Sequence, residues 1–144
     1  MAKIKHIALS TKDPEKTARF YIDVFGMKQI GKVDHPAVSG VFLSDGDLNV
    51  AILDFKNDAV AGAERGKDYV GIHHIGFQVE SLEAIADRLA AAGAPRRDDV
   101  NAALGVGQSS QRHANVEVKY SSPDGIMLDV SETGWVGTPS FRPQ

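Results

Sequence analysis

His6-Ile7-Ala8-Leu9-Ser10-Thr11 and His74-Ile75-Gly76-Phe77-Gln78-Val79 open the two halves of this chain in the same way. Each is an apolar-rich run that starts on histidine, and each leads into a helical pattern. The first pattern runs from Pro14 to Phe25 and stops at Gly26. The second runs from Leu82 to Ala92 and stops at Gly93. Asp13 and Ser81 are the expected N-caps, and each follows its histidine by seven residues. A duplicated unit places equivalent residues at equivalent points about a pseudo-two-fold axis. The repeat therefore predicts that His6 and His74, distant in sequence, meet at one site.

Working outward, the first half reads β-α-β-β-β. Ile4 to Leu9 is a half-buried strand. Pro14 at the first helical position and Glu15 in the first turn suit a helix start. Ala18, Tyr21, Ile22 and Phe25 recur at helical spacing. Strands are expected at Lys28 to Val33, Gly40 to Ser44 and Leu48 to Asp54, the last two joined at Asp45-Gly46. Lys56 to Tyr69 is polar and connects the halves. The second half repeats the order, with strands at Gly71 to Val79, Pro95 to Asp99, Asn115 to Tyr120 and Ile126 to Val130. Pro123-Asp124-Gly125 is the turn before the last strand. Asn101 to Ala114, rich in Gly, Ser, Gln and Asn, has the length and composition of a binding loop or lid. The tail carries Trp135 and is expected to pack on the body or on a partner subunit.

One domain is expected over residues 1–144. Its first repeat spans about 1–55 and its second about 70–132, with a tail at 133–144. The length suffices for a real core. A net charge of −3 argues against nucleic acid as a partner. No apolar run approaches the roughly 20 residues that span a bilayer. The start, Met1-Ala2-Lys3-Ile4-Lys5, goes straight into a strand without a signal-peptide pattern, so a cytoplasmic protein is the default. There is no cysteine, which excludes disulfides, thiolate nucleophiles and thiolate metal ligands.

Asp129 lies in the last strand. His6, His74 and Asp129 together have the composition of a two-histidine, one-carboxylate site with open coordination positions. Fe, Mn, Zn, Ni and Co all suit such donors. The plain alternative for each is a packed or surface residue. The repeat favours ligation for His6 and His74, because a lone strand histidine has no counterpart. His73 neighbours His74 and points to the other face. It is expected to be a packing or surface residue, and Phe20, Tyr21 and Phe25 are expected in the helix core. His35, Arg96 and Arg97 are expected at the surface.

The chain resembles the vicinal oxygen chelate superfamily, which includes glyoxalase I, extradiol dioxygenases, fosfomycin-resistance proteins, methylmalonyl-CoA epimerases and bleomycin-binding proteins. The resemblance rests on Lys5-His6-Ile7-Ala8, Phe20-Tyr21-Ile22-Asp23-Val24-Phe25-Gly26-Met27, His73-His74-Ile75-Gly76-Phe77 and Ser122-Pro123-Asp124-Gly125-Ile126-Met127-Leu128-Asp129. It covers nearly the whole chain. It implies an α+β fold of paired βαβββ modules whose curved mixed sheet surrounds a metal cleft, and it implies a homodimer. It also implies His6, His74 and Asp129 as ligands, with a further ligand expected between Asn49 and Leu53. Val50, Ala51 and Ile52 bind no metal, and Asn49 is a poor substitute. Three ligands look more like the extradiol and fosfomycin-resistance branches than like glyoxalase I.

The order His113, Tyr120, Pro123, Gly125, Asp129 is similar to an extradiol signature, which implies catalytic roles for His113 and Tyr120. Lys119 stands where that signature has an apolar residue, Tyr120 is one residue too close to the proline, and the acid is Asp. The expected function is a divalent-metal enzyme acting on a small molecule with neighbouring oxygens. Extradiol-type dioxygenation is placed slightly ahead of glyoxalase-type isomerisation. Metal-free drug sequestration, as in bleomycin-binding relatives, is the alternative outside catalysis.

Overall fold

The computed structural model describes residues 1–106 and 117–143. Those residues form a seven-stranded mixed sheet in the order β2-β3-β4-β1-β5-β7-β6. The first half supplies β1 (Lys3–Ser10), α1 (Pro14–Phe25), β2 (Lys28–His35), β3 (Val38–Ser44) and β4 (Asn49–Phe55). A short helix, α2 (Asp58–Ala61), lies in the connection. The second half supplies β5 (Gly71–Gln78), α3 (Leu82–Ala91), α4 (Asp98–Leu104), β6 (Val118–Ser121) and β7 (Met127–Ser131). In each half the first and last strands run parallel, β1 with β4 and β5 with β7, and the halves join where β1 and β5 pair antiparallel. This is the predicted α+β plan, with the pseudo-two-fold axis between β1 and β5.

The helices form where local chemistry favours them. Asp13 accepts from Lys16 N to cap α1, and Gly26 ends it in the left-handed conformation at φ 71°. Ser81 accepts from Ala84 N to cap α3. Helix α1 packs Ala18, Tyr21 and Ile22 against Leu43 and Ile52. Helix α3 lays Leu82, Ile85 and Leu89 over Val79, Tyr120 and Val130.

Strand alternation then separates two chemistries. Leu9, Phe77, Leu128 and Val130 face the helices. On the neighbouring positions His6, Ala8, Ser10, His74, Asp129 and Ser131 are buried on the concave face. The apolar layer holds the fold together, and the other layer holds polar groups.

Two expectations fail in the second half. Pro95 to Asp99 makes a single bridge, Arg96 to Tyr120, and then turns into α4. Asp98 and Asp99 lie in the first turn of that helix, where the dipole favours acids, and Gly105 caps its end at φ 73°. Asn101 to Leu104 is therefore helix, not loop. Residues 107–114 of the expected lid, His113 among them, lie outside the described residues. Among the described residues no helix is long and apolar enough to cross a membrane.

Candidate metal centre

The site begins with register. His6 lies opposite Asn49 on β4, His74 lies opposite Met127 on β7, and Asp129 lies two residues further along β7. Across the β1–β5 seam His6 pairs with Gly76. Gly76 lies against His6, and a Cβ there would come within 2.8 Å of His6 Cβ. These pairings bring three side chains together from one chain, with ligand atoms all within 4.8 Å of one another. His6 and His74 are each 3% exposed and Asp129 is fully buried.

The hydrogen bonds outside the cluster decide what faces inward. Ala61 O only accepts, so His73 Nε2, at 2.6 Å, donates to it. Burial, reinforced by His74, lowers the His73 pKa to about 4, so the ring is neutral and its Nδ1 is an acceptor. His74 Nδ1, 2.7 Å away, therefore donates to His73, and His74 Nε2 is left bare. His6 meets the same logic. Asn49 Nδ2 donates to Val136 O at 3.0 Å, which turns Asn49 Oδ1 towards His6 Nδ1 at 2.7 Å. His6 Nδ1 carries the proton and its Nε2 is bare. Burial first, then His74, lowers the His6 pKa to about 3.

Two bare nitrogens and a carboxylate oxygen thus converge. His6 Nε2 and His74 Nε2 are 3.2 Å apart. Asp129 Oδ2 is 3.0 Å from His74 Nε2 and 3.9 Å from His6 Nε2. Three acceptors at these separations repel one another unless a cation lies between them. Donor atoms this close to one another are within reach of a single small cation. Donor types, tautomers and spacing all fit a divalent ion.

Asp129 is held from its other side. Lys119 Nζ is 2.6 Å from Oδ1, although neither carboxylate oxygen accepts a hydrogen bond of good geometry. Burial works against both charges. The charge of His74 where that ring is protonated, and the Lys119 ammonium, nevertheless hold Asp129 well below its usual pKa, and Asp129 and Glu117 raise that of Lys119. Lys119 is fixed through its backbone, since Asn101 Oδ1 accepts from Lys119 N and Asn101 Nδ2 donates to Lys119 O. Glu117 Oε2 lies 3.8 Å from Lys119 Nζ. Burial and the Asp129 charge push the Glu117 carboxyl up to about 7.

His6, His74 and Asp129 come together as expected, and Tyr120 does not join them. Tyr120 packs with Val79 and Val130 under α3, on the helix side of the sheet. The one-residue slip towards Pro123 turned it to that face, and Lys119 took the inward position beside Asp129. Asn49 is not a fourth ligand, because its amide is committed to His6 and Val136. The place equivalent to Asp129 in the first half, two residues beyond Asn49 on β4, is the buried Ala51. The alternation of Glu117 and Lys119 on one strand face was the available signal for those two residues. Trp135, stacked on His6 at 4.9 Å with parallel rings, left no spacing signal.

Two curated relatives share part of the sequence. Mitochondrial methylmalonyl-CoA epimerase of Homo sapiens is 28% identical over 88 residues, 58% of this chain and 50% of that protein. This chain thus spans about half the length of the human relative. Ethylmalonyl-CoA/methylmalonyl-CoA epimerase of Cereibacter sphaeroides is 29% identical over 98 residues, 65% of this chain and 73% of that protein. Among solved structures, a methylmalonyl-CoA epimerase in complex with methylmalonyl-CoA and NH4+ superposes with a TM-score of 0.71 at 18% identity, covering 96% of this chain and 99% of that one. At that identity the likeness speaks for the fold. The duplicated βα units and the seam that joins β1 to β5 agree with a family match over residues 3–130, and the chain belongs to the Glyoxalase/Bleomycin resistance protein/Dioxygenase superfamily.

Proposed function

We propose that this chain holds one divalent metal ion on His6, His74 and Asp129 and acts as an isomerase-type enzyme, moving a proton on a carbon beside a carbonyl. The observation that carries the reading is the set of three inward-facing lone pairs, locked by His73, Asn49 and Lys119. A divalent ion there supplies a Lewis acid for a substrate with neighbouring oxygens. The chain's own residues set what surrounds it. His73 and Asn49 keep both imidazoles in the ligating tautomer. Lys119 takes one oxygen of Asp129 and leaves the other for the metal. Its ammonium adds positive charge, which favours an anionic substrate. Glu117 lies 3.8 Å from the Lys119 ammonium that pairs with Asp129, its carboxyl is pushed up to about 7, and it is the group assigned to take and return the proton.

The names of both curated relatives favour this reaction class over ring cleavage. Epimerisation of a malonyl-type thioester removes and returns the proton on the carbon between two carbonyl carbons. The extradiol expectation rested on the missing fourth ligand, with the order of His113 and Tyr120 as a further pointer. Tyr120 is buried under α3, and His113 lies outside the described residues.

The test is proton exchange. The metal-loaded protein, incubated with methylmalonyl-CoA in D2O, is expected to exchange the proton on the carbon between the two carbonyl groups, followed by NMR. Glu117→Gln is expected to lose about 10²-fold or more of that rate, as removal of a general base does. Exchange no faster than in buffer, with this and other short acyl thioesters, would overturn the isomerase reading.

A further inference from the structure

The C-terminal segment after β7 returns across the concave face, and its contacts converge on His6. Trp135 is 3% exposed, and its indole lies parallel to the His6 ring at 4.9 Å. The indole fills a slot that only glycine leaves open, since a Cβ on Gly76 would stand 2.7 Å from Trp135 Cζ2. The next residue, Val136, offers the carbonyl that orients Asn49, and Asn49 in turn orients His6 Nδ1. Further along, Ser44 Oγ donates to Gly137 O at 2.7 Å and Gln78 Nε2 donates to Ser140 O at 2.8 Å. The segment is seated at several points, and its residues hold both the face and the outer nitrogen of one candidate ligand.

We propose that Trp135 is a positioning residue for His6 and that the C-terminal segment is a built part of the metal centre. This inference rests on the metal reading above. The flat indole restricts rotation of the imidazole about its Cβ–Cγ bond. The Val136–Asn49 link excludes the tautomer that would place a hydrogen on His6 Nε2. Loss of either lets the ring turn away from the cluster, and a ligand that turns away releases its metal faster.

The experiment compares the full chain with Trp135→Leu, which keeps bulk in the slot, Trp135→Phe, which restores a flat ring, and Asn49→Ala, which cuts the same link elsewhere. Each protein is loaded with zinc, its stoichiometry is measured, and zinc release to an excess of a coloured chelator is followed. Trp135→Leu and Asn49→Ala are expected to release zinc about tenfold or more faster than the parent, the effect usual for outer partners of metal ligands. Trp135→Phe is expected to stay close to the parent. Equal release rates in parent, Trp135→Leu and Asn49→Ala at one zinc per chain would overturn the inference and leave the metal reading standing.

A parent that takes up no zinc or other divalent ion would overturn the metal reading. The positioning of His6 is then read from the ¹⁵N shifts of its ring. The parent is expected to show a single tautomer protonated at Nδ1, and Trp135→Leu an average of two. The same single tautomer in both proteins would overturn the inference by that route as well.

Discussion

At the residue scale the centre depends on groups that never touch a metal. Lys119 is a buried cation whose partner is a buried anion, 2.6 Å away. Breaking such a pair leaves an uncompensated charge and costs about 3–5 kcal/mol. Lys119→Met is therefore expected to lower the unfolding free energy of the metal-free protein by about that amount. With zinc present the loss should be smaller, because the ion then compensates Asp129. Urea unfolding with and without zinc checks this, and an equal loss in both states would contradict it. His6 and His73 give a pH dependence of definite sign. Their folded-state pKa values are about 3 and about 4, below the ordinary 6.5, so their neutral forms belong to the fold. Their contribution is complete above about pH 6.5. As the pH falls towards 4 the unfolded chain takes up protons that the folded chain refuses. Each group then removes about 1.4 kcal/mol of stability per pH unit. In the presence of a chelator, urea midpoints are expected to fall between pH 6.5 and 5, by less than the two rings alone would give, because the Glu117 carboxyl, raised to about 7, takes up a proton in the folded chain and offsets about one of them. A profile that stays flat in Glu117→Gln, where that offset is gone, would mean that the two rings are not held neutral.

At the element scale the two halves are unequal. Helix α1 buries Ala18 fully against Leu43 and Ile52. Helix α3 buries no residue completely, and an apolar cleft of about 240 Å³ lined by Phe77, Ile85, Leu89 and Leu128 opens beside its contact with the sheet. Low contact with the core makes local opening cheap. Hydrogen exchange is expected to reach the amides of α3 before those of α1, and to reach β1, β5 and β7 last; α1 exchanging first would contradict this. The same contrast explains what was legible in the sequence. The first half carried a capped helix, a glycine stop and a hairpin turn, each a local signal, and its β-α-β-β-β order was read correctly. In the second half the stretch after Pro95 has the local pattern of a strand. It became helix α4 because Asp98 and Asp99 suit a first turn, and because Asn101 finds both backbone groups of Lys119 across the fold. That last partner is tertiary and has no trace in local spacing. Tyr120 and Lys119 were exchanged for a related reason. Alternation names the two faces of a strand, and only the pairing of Lys119 with Asp129 across β6 and β7 says which face is inward.

At the scale of the whole molecule, duplication brings two histidines to one seam, and the second half alone adds the carboxylate. The repeat made His6 and His74 legible. Asp129 was legible through the resemblance, and the blank at Ala51 through the lack of a donor there. The closing of the site by the C-terminal segment was not legible, because stacking and a backbone carbonyl impose no sequence period. That closure provides the most direct probe of the metal centre. Trp135 is the single tryptophan of the chain and its ring lies 4.9 Å from that of His6. Its fluorescence, titrated with cobalt(II), reports on the space between His6, His74 and Asp129. The predicted result is quenching that saturates at one equivalent per chain and disappears in His74→Ala. Fluorescence that does not respond saturably to cobalt, nickel or iron, or that responds alike in parent and His74→Ala, would contradict a metal held by these three residues.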